Sequence, residues 1–305
     1  MSFSDVNKIL DKKSMGLAEE SLVASFESLD LKDFSFEDCF STSPGSIQKK
    51  IMESKYNLML QDLFVLYKDD ERSLARLRGC TMKGSGAFLH AVPNENLGTK
   101  MFSREFQFAV AYRMGLPLNL TKKYCSMIKC SGKVDKYGDH ALSCAFGGDR
   151  IYRHNAIRDH IFHLMRRIGY DAKLEKSGLL DDSNERPGDI FVHTLQSGRP
   201  AAFDITVSST MQSSLIHQAS QETGFVANAA EERKDRKFYE KCRDQGIDFF
   251  PLAVETLGGW NTTAISIFKD IAKRKSYFDN SVYSIEISHI LQQLSVCLQR
   301  KMRQC

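Results

Sequence analysis

Residues 247–257, IDFFPLAVETL, are almost entirely apolar. A strand of this composition cannot leave either face in water, so it must be covered on both. That requirement points to a sheet layered between helices. The residues before it supply those layers. Residues 152–168, YRHNAIRDHIFHLMRRI, set Ile157, Ile161, Leu164, Met165 and Ile168 on one helical face with arginines on the other, and Gly169 stops the helix. DAKLEKSGLL (171–180) and RPGDIFVHTL (186–195) suit strands, the second bounded by Pro187 and a turn at Ser197–Gly198. In RPAAFDITVSS (199–209), Ala201, Phe203, Ile205 and Val207 alternate with Ala202, Asp204 and Thr206, the period of a strand. The polar segment 210–244 reads as helical, 261–275 as a helix capped by Asn261, and 284–302 as a final helix. From 152 onward the order is helix, three strands, helix, strand, helix.

The chain has 305 residues, enough for two domains or three small modules at roughly 100–200 residues each. The reading divides it at 1–100, mostly helical; 101–150, a helix and a Cys/His segment; and 151–305, the α/β region. Within the first part, 47–67 has amphipathic spacing and 80–100, with its Gly and Pro breaks, reads as loop with a short strand or turn. SREFQFAVAYRMGL (103–116) reads as a helix with Ser103 as N-cap and Gly115 at its end. No apolar run reaches the ~18–20 residues a membrane helix needs, and the N-terminus lacks a secretory apolar core, so an intracellular chain with no membrane partner is expected.

Three of the eight cysteines fall within twenty residues and enclose a histidine, in CSMIKCSGKVDKYGDHALSC. Four residues separate Cys125 from Cys130, nine more precede His140, and three precede Cys144. Three thiolates and an imidazole complete a tetrahedral zinc shell, and short gaps let one turn present two ligands. With no export signal, metal is favoured over disulfides. A filled shell implies a structural ion. The competing reading is a set of unconnected core cysteines beside an incidental histidine.

Net charge is only +4, but residues 121–180 carry 12 basic and 6 acidic groups and four of the eight histidines. A local basic stretch suits a polyanion, although a solvated face of unmatched lysines has the same composition.

The sharper pattern is RPGD (186–189) followed by AFDITV, with fourteen residues between Asp189 and Asp204. An acid within an apolar strand is costly unless neutralised. Two such aspartates on adjacent antiparallel strands can share Mg²⁺ or Mn²⁺, whose coordination favours carboxylate oxygen. The plain alternative is that Asp189 ends a turn and Asp204 lies on the polar strand face with Ala202 and Thr206.

The strings FQFAVAYRMGLPL, the Cys-Cys-His-Cys block with YGDHALSC, RHN, RPGD, AFDITV and PLAVETLGGW resemble the C-terminal part of reverse-transcriptase polyproteins of non-LTR retrotransposons. That part is similar to the restriction-like endonucleases of the PD-(D/E)XK nuclease superfamily. The likeness covers roughly residues 85–275, and the order of the short motifs is its specific part. It implies a restriction-endonuclease-like core of helix, three strands, helix and strand, joined to a helical N-terminal region and a small zinc module. It further implies metal ligation by Asp189 and Asp204, zinc ligation by Cys125, Cys130, His140 and Cys144, and a DNA-proximal role for Arg153, His154 and Asn155, with Arg158 further along the same helix. The substrate would be DNA, with RNA of a parent element as a further partner, and the location nuclear.

The sequence departs from the superfamily pattern twice. Gly188 intervenes between Pro187 and the first acid, and Thr206 stands where the pattern has a lysine two residues after the second. Without that lysine, the attacking water and the phosphate lose a positive partner. Lys234 or Lys237, three apart on the following helix, could supply it; otherwise they are solvated lysines of EERKDRK. Glu175 could complete the acidic cluster or belong to a Lys173–Glu175–Lys176 surface patch. Asp159 could face the cleft with Asn155 or pair with an arginine. Trp260, the single tryptophan, reads as a core anchor. Three functions stay in view: a Mg²⁺-dependent DNA endonuclease, a nucleic-acid-binding protein whose catalysis has lapsed, and a scaffold with neither property.

Overall fold

The computed structural model describes residues 44–118, 124–125, 127–144, 146, 148–181 and 185–300. The N-terminal stretch before 44, with Cys39, and the last five residues of the basic tail, with Cys305, lie outside them. The chain divides into two compact units, Met1–Asp69 and Asp70–Cys305. The first contains α1 (Pro44–Leu66). The second holds α2 (Glu71–Thr81), a 3₁₀ turn (Ala87–His90), α3 (Ser103–Met114), α4 (Asp139–Ser143), α5 (Gly148–Arg167), β1 (Ala172–Leu174), β2 (Ile190–Val192), β3 (Ala201–Ser208), α6 (Ile216–Gln221), α7 (Phe225–Asp244), β4 (Asp248–Glu255), α8 (Thr262–Phe278) and α9 (Tyr283–Arg300). The helix expected over 103–116 and the Cys/His segment thus share one unit with the sheet. Among the described residues, no helix is long and apolar enough to cross a membrane.

The sheet is mixed, in the order β1-β2-β3-β4, with β1, β2 and β3 antiparallel and β4 parallel to β3. Strands β1 and β2 have only three residues each, shorter than the segments that suited them. On one face, Ile190, Phe203, Ile205 and Leu252 pack with Ile157, Ile161, Met165, Phe268 and Leu294 from α5, α8 and α9. On the other, Phe191, Ala202 and Phe249 meet Phe238 and Cys242 of α7. Burial of each such large side chain contributes about 1.5–3 kcal/mol, so the layers hold together through their apolar faces.

The apolar strand is β4, and both its faces are covered, yet it lies at the sheet edge. Its exposed ladder is closed by Asn261: the Asn261 amide donates to Pro251 O, and its Oδ1 accepts the N–H of Ala253, both at 3.0 Å. The same Oδ1 accepts Ala264 N–H at the start of α8, so one side chain caps a helix and seals an edge. Pro251, which has no N–H to give, is accommodated on such an edge strand.

Two local expectations change. Phe102, not Ser103, is the N-cap of α3, because the Glu105 carboxylate reaches back to the Phe102 N–H at 2.9 Å. The polar segment 210–244 holds two helices, parted before Gly224, whose φ of 80° is left-handed. Trp260 is buried and meets Phe268 edge-on at 4.8 Å, the core anchor expected of it.

Candidate metal centre and acidic site

The Cys125–Cys144 segment folds back on itself through a bridge between Tyr124 and Lys133. The Cys130 N–H bonds Met127 O, and the Cys125 N–H bonds Gly132 O, both at 2.9 Å. These turns bring Cys125, Cys130, His140 and Cys144 together, with all four ligand atoms within 4.8 Å of one another. Cys125 Sγ lies 3.8 Å from Cys144 Sγ, and Cys130 Sγ 3.4 Å from His140 Nε2. Zinc–sulfur bonds of ~2.3 Å in a tetrahedron set ligand atoms about 3.8 Å apart, so the group fits a zinc ion. Gly132 cradles the histidine: a Cβ there would come within 2.2 Å of His140 Cε1. The Gly132 N–H also points at Cys130 Sγ and lowers that thiol's pKa.

Asp135 organises the turn that leads into α4. Its carboxylate accepts N–H groups from Tyr137, Asp139 and His140 at 2.9, 3.1 and 2.7 Å. Burial, the largest single influence, works to raise its pKa, but these bonds together hold it below the usual range. Asp139 pairs with Arg72 of α2 at 2.5 Å, and Arg72 lies over the Tyr137 ring. Arg153, expected at the nucleic acid, is instead 1% exposed, and its Nη2 donates to Leu142 O. It ties α5 to the turn that carries His140 and Cys144.

The next residue on α5 faces the sheet. His154 Nε2 lies 3.1 Å from Asp189 Oδ2, and the same oxygen accepts the Ile205 N–H at 2.7 Å. β3 outruns β2 at this point, so the Asp189 carboxylate takes an N–H that the ladder leaves open. Burial works to lower the His154 pKa, but the bond and charge of Asp189 outweigh it and raise it. The backbone at 188 must run against β3: a Cβ there would meet Phe203 N and O at 3.0 Å. This accounts for the glycine between Pro187 and Asp189.

Asp204 belongs to the residue before that N–H and points toward α7. Lys234 Nζ donates to its Oδ1 at 2.8 Å, and Thr206 Oγ1 to its Oδ2 at 3.2 Å. Burial and the charge of Asp189 hold the Asp204 pKa up against the pull of Lys234. The two acids are therefore electrostatic neighbours, and Asp204 is not the exposed strand residue of the plain alternative. Among the described residues, both donors to Asp189 fall on Oδ2. Asp189 Oδ1 accepts no hydrogen bond among the described residues, whereas both Asp204 oxygens are engaged, by Lys234 and Thr206.

The remaining candidates separate from this pair. Lys237 lies one turn on from Lys234 and bonds Glu185, as does Lys241. The Glu175 carboxylate is held between Arg158 and Arg186 at 2.6 and 2.8 Å, so arginines rather than Lys173 and Lys176 are its partners. Its backbone stays at the site: its N–H bonds Asp189 O, with φ at 46°. Arg158 also pairs with Asp159. Asn155 Oδ1 meets His154 Nδ1, which leaves Nε2 to Asp189. Beside the acids lies an open cleft of about 360 Å³, lined by Arg150, Ile151, His154, Ile205, Thr206, Val207, Arg233 and Lys234. Arg150 and Arg233 were not singled out by motif. Their signals are spacing and adjacency: Arg150 stands four before His154 on one helix face, and Arg233 directly precedes Lys234.

Compared with models of known protein families and with curated proteins, the chain matches none.

Proposed function

We propose that the protein is a divalent-metal-dependent DNA endonuclease of the restriction-like type, with its Cys/His module a structural zinc site. The observation that carries this reading is Lys234 Nζ at 2.8 Å from Asp204 Oδ1. The superfamily pattern has lysine two residues after the second acid, where this chain has Thr206. A lysine from α7 reaching the same carboxylate answers that departure. The order helix, three strands, helices and strand, with Asp189 directly before β2 and Asp204 on β3, supports the core that the resemblance to retrotransposon endonucleases implies.

The residues divide the work. Asp189 and Asp204 are the residues that would hold a divalent ion, which when bound would supply charge neutralisation at the phosphate and a more acidic bound water. His154 and the Ile205 N–H hold Asp189 through Oδ2 and leave its other oxygen without a hydrogen bond among the described residues. Burial of Asp204 among β3 and α7 strengthens its attraction for any cation. The Lys234 ammonium stands where it can steady a phosphoryl oxygen or the attacking water. The four-ligand zinc shell leaves no open position and so has no part in the cleavage step.

The test is nicking of supercoiled plasmid in Mg²⁺ by wild type and Asp204→Asn. Nicking by the wild type alone is expected, with a loss of about 10³-fold or more in the variant. Equal nicking, or none by either protein, overturns the reading; DNA binding without nicking points instead to the lapsed-catalyst alternative.

A further inference from the structure

A second chamber opens from the cleft, with a volume of about 540 Å³. The two share Arg150, Val207, Arg233 and Lys234 as a common wall. Beyond that wall the lining turns to neutral donors and acceptors, among them Ser208, Ser209 and Gln212. No carboxylate lines either space among the described residues. Its three cations differ in their commitments. Lys234 is bound to Asp204. Arg150 on α5 and Arg233 on α7 have no ion pair or side-chain hydrogen bond among the described residues, and both are exposed. The other arginines near the acids are engaged: Arg158 and Arg186 by Glu175, and Arg153 by Leu142.

A lone surface arginine is ordinarily just solvated. Here two come from different helices, α5 and α7, onto the wall that both chambers share, and no carboxylate lines either space among the described residues to satisfy them. A concave surface lined by one sign of charge focuses its field and gathers counter-ions. A guanidinium offers paired donors that fit phosphate oxygens bidentately. The serine hydroxyls and the Gln212 amide suit the sugar and base edges on either side of such a group. We propose that Arg150 and Arg233 grip a backbone phosphate of a DNA strand next to the one presented to Asp189 and Asp204, so that the strand runs through the serine-lined chamber. This rests on the nuclease reading for what happens at the acids, but the grip itself needs no catalysis.

The test is fluorescence anisotropy of a labelled DNA duplex with the full chain in calcium-containing buffer, across a salt series. Wild type is compared with Arg150→Gln/Arg233→Gln and with Arg199→Gln/Arg243→Gln, which removes two arginines paired elsewhere, to Asp248 and Glu240. Each lost phosphate contact reduces the slope of log affinity against log salt by about 0.9. The cleft variant should lose close to one unit of slope and about tenfold in affinity at 0.1 M salt, while the control keeps both. Thermal melts of both variants should match wild type, since all four side chains are largely solvated. An unchanged slope in the cleft variant, or an equal loss in the control, overturns the grip; with wild-type nicking in Mg²⁺ intact, the nuclease reading survives it. A cleft-specific loss of slope in a protein that never nicks supports the grip and overturns the nuclease reading. Absence of DNA binding by the wild type overturns both.

Discussion

The Cys/His module and the acidic site lie at successive points along one helix, yet they are built in opposite ways. Four ligands of the first come from twenty consecutive residues and close a shell on themselves. The second draws His154 from α5, Asp189 from the entry to β2, Asp204 from β3 and Lys234 from α7, and stays open to a cleft. Soft thiolate and imidazole donors favour a captive ion that holds a fold together; oxygen donors beside a free space favour an exchangeable ion that meets a substrate. On the proposed nuclease reading, local ligand supply goes with structural duty and assembly from distant elements goes with chemistry. Arg153 and His154 mark the boundary, one side chain serving each site.

The comparison can be broken first by removing metal. Stripping zinc with a strong chelator, or Cys144→Ala, should release one zinc per chain by elemental analysis. Structural zinc binding is worth about 10–16 kcal/mol in small peptides, so even partial loss should lower Tm by about 10 °C or more. Withdrawing Mg²⁺ should leave Tm almost unmoved. Equal effects from the two metals would erase the distinction. Next, Gly132→Ala forces a methyl against the His140 ring. Zinc affinity in a competition titration should fall by about 10–100-fold, the range for a disturbed ligand support.

Asp204→Asn probes the other side. Burial raises the Asp204 pKa in the folded state, so ionising it there costs stability once pH exceeds its value in the unfolded chain. The amide should therefore raise stability by about 1 kcal/mol at neutral pH in urea melts, and the gain should vanish at acidic pH. Stability lost at neutral pH would mean that the acid supports the fold. Smallest is the pair that Lys237 and Lys241 make with Glu185. Lys241 and Lys237 hold the Glu185 pKa down to about 2, so their support is present above the ordinary carboxylate range and disappears as pH falls. At these solvated positions, Lys241→Gln should shift Tm barely measurably at pH 7 and not at all near pH 2, by differential scanning fluorimetry.

Much of this was legible in the chain. The apolar positions of 152–168 return as the buried face of α5, and the alternation in AFDITV returns as β3. The cysteine spacing was enough for the zinc-compatible cluster because its ligands are neighbours in sequence. Spacing could not decide between Lys234 and Lys237: three residues apart they share a broad helix face, and only the packing of α7 over β3 aims the first at Asp204 and leaves the second to Glu185. Arg153 is DNA-proximal only in what the resemblance implies; its burial depends on the Leu142 carbonyl that the Cys/His segment offers it, a partner no spacing in the sequence points to. The edge position of β4 was hidden too, since Asn261 and the helices cover an edge strand as fully as neighbouring strands would.

The most direct measurement compares initial rates of plasmid nicking in Mg²⁺ at pH 7.5 for wild type, Lys234→Met and Lys237→Met. The expected result is a fall of about 10²–10³-fold for Lys234→Met, the usual loss when one preorganised donor is removed, and a rate within about twofold of wild type for Lys237→Met. Equal rates for the two variants, or a greater loss at Lys237, would contradict it.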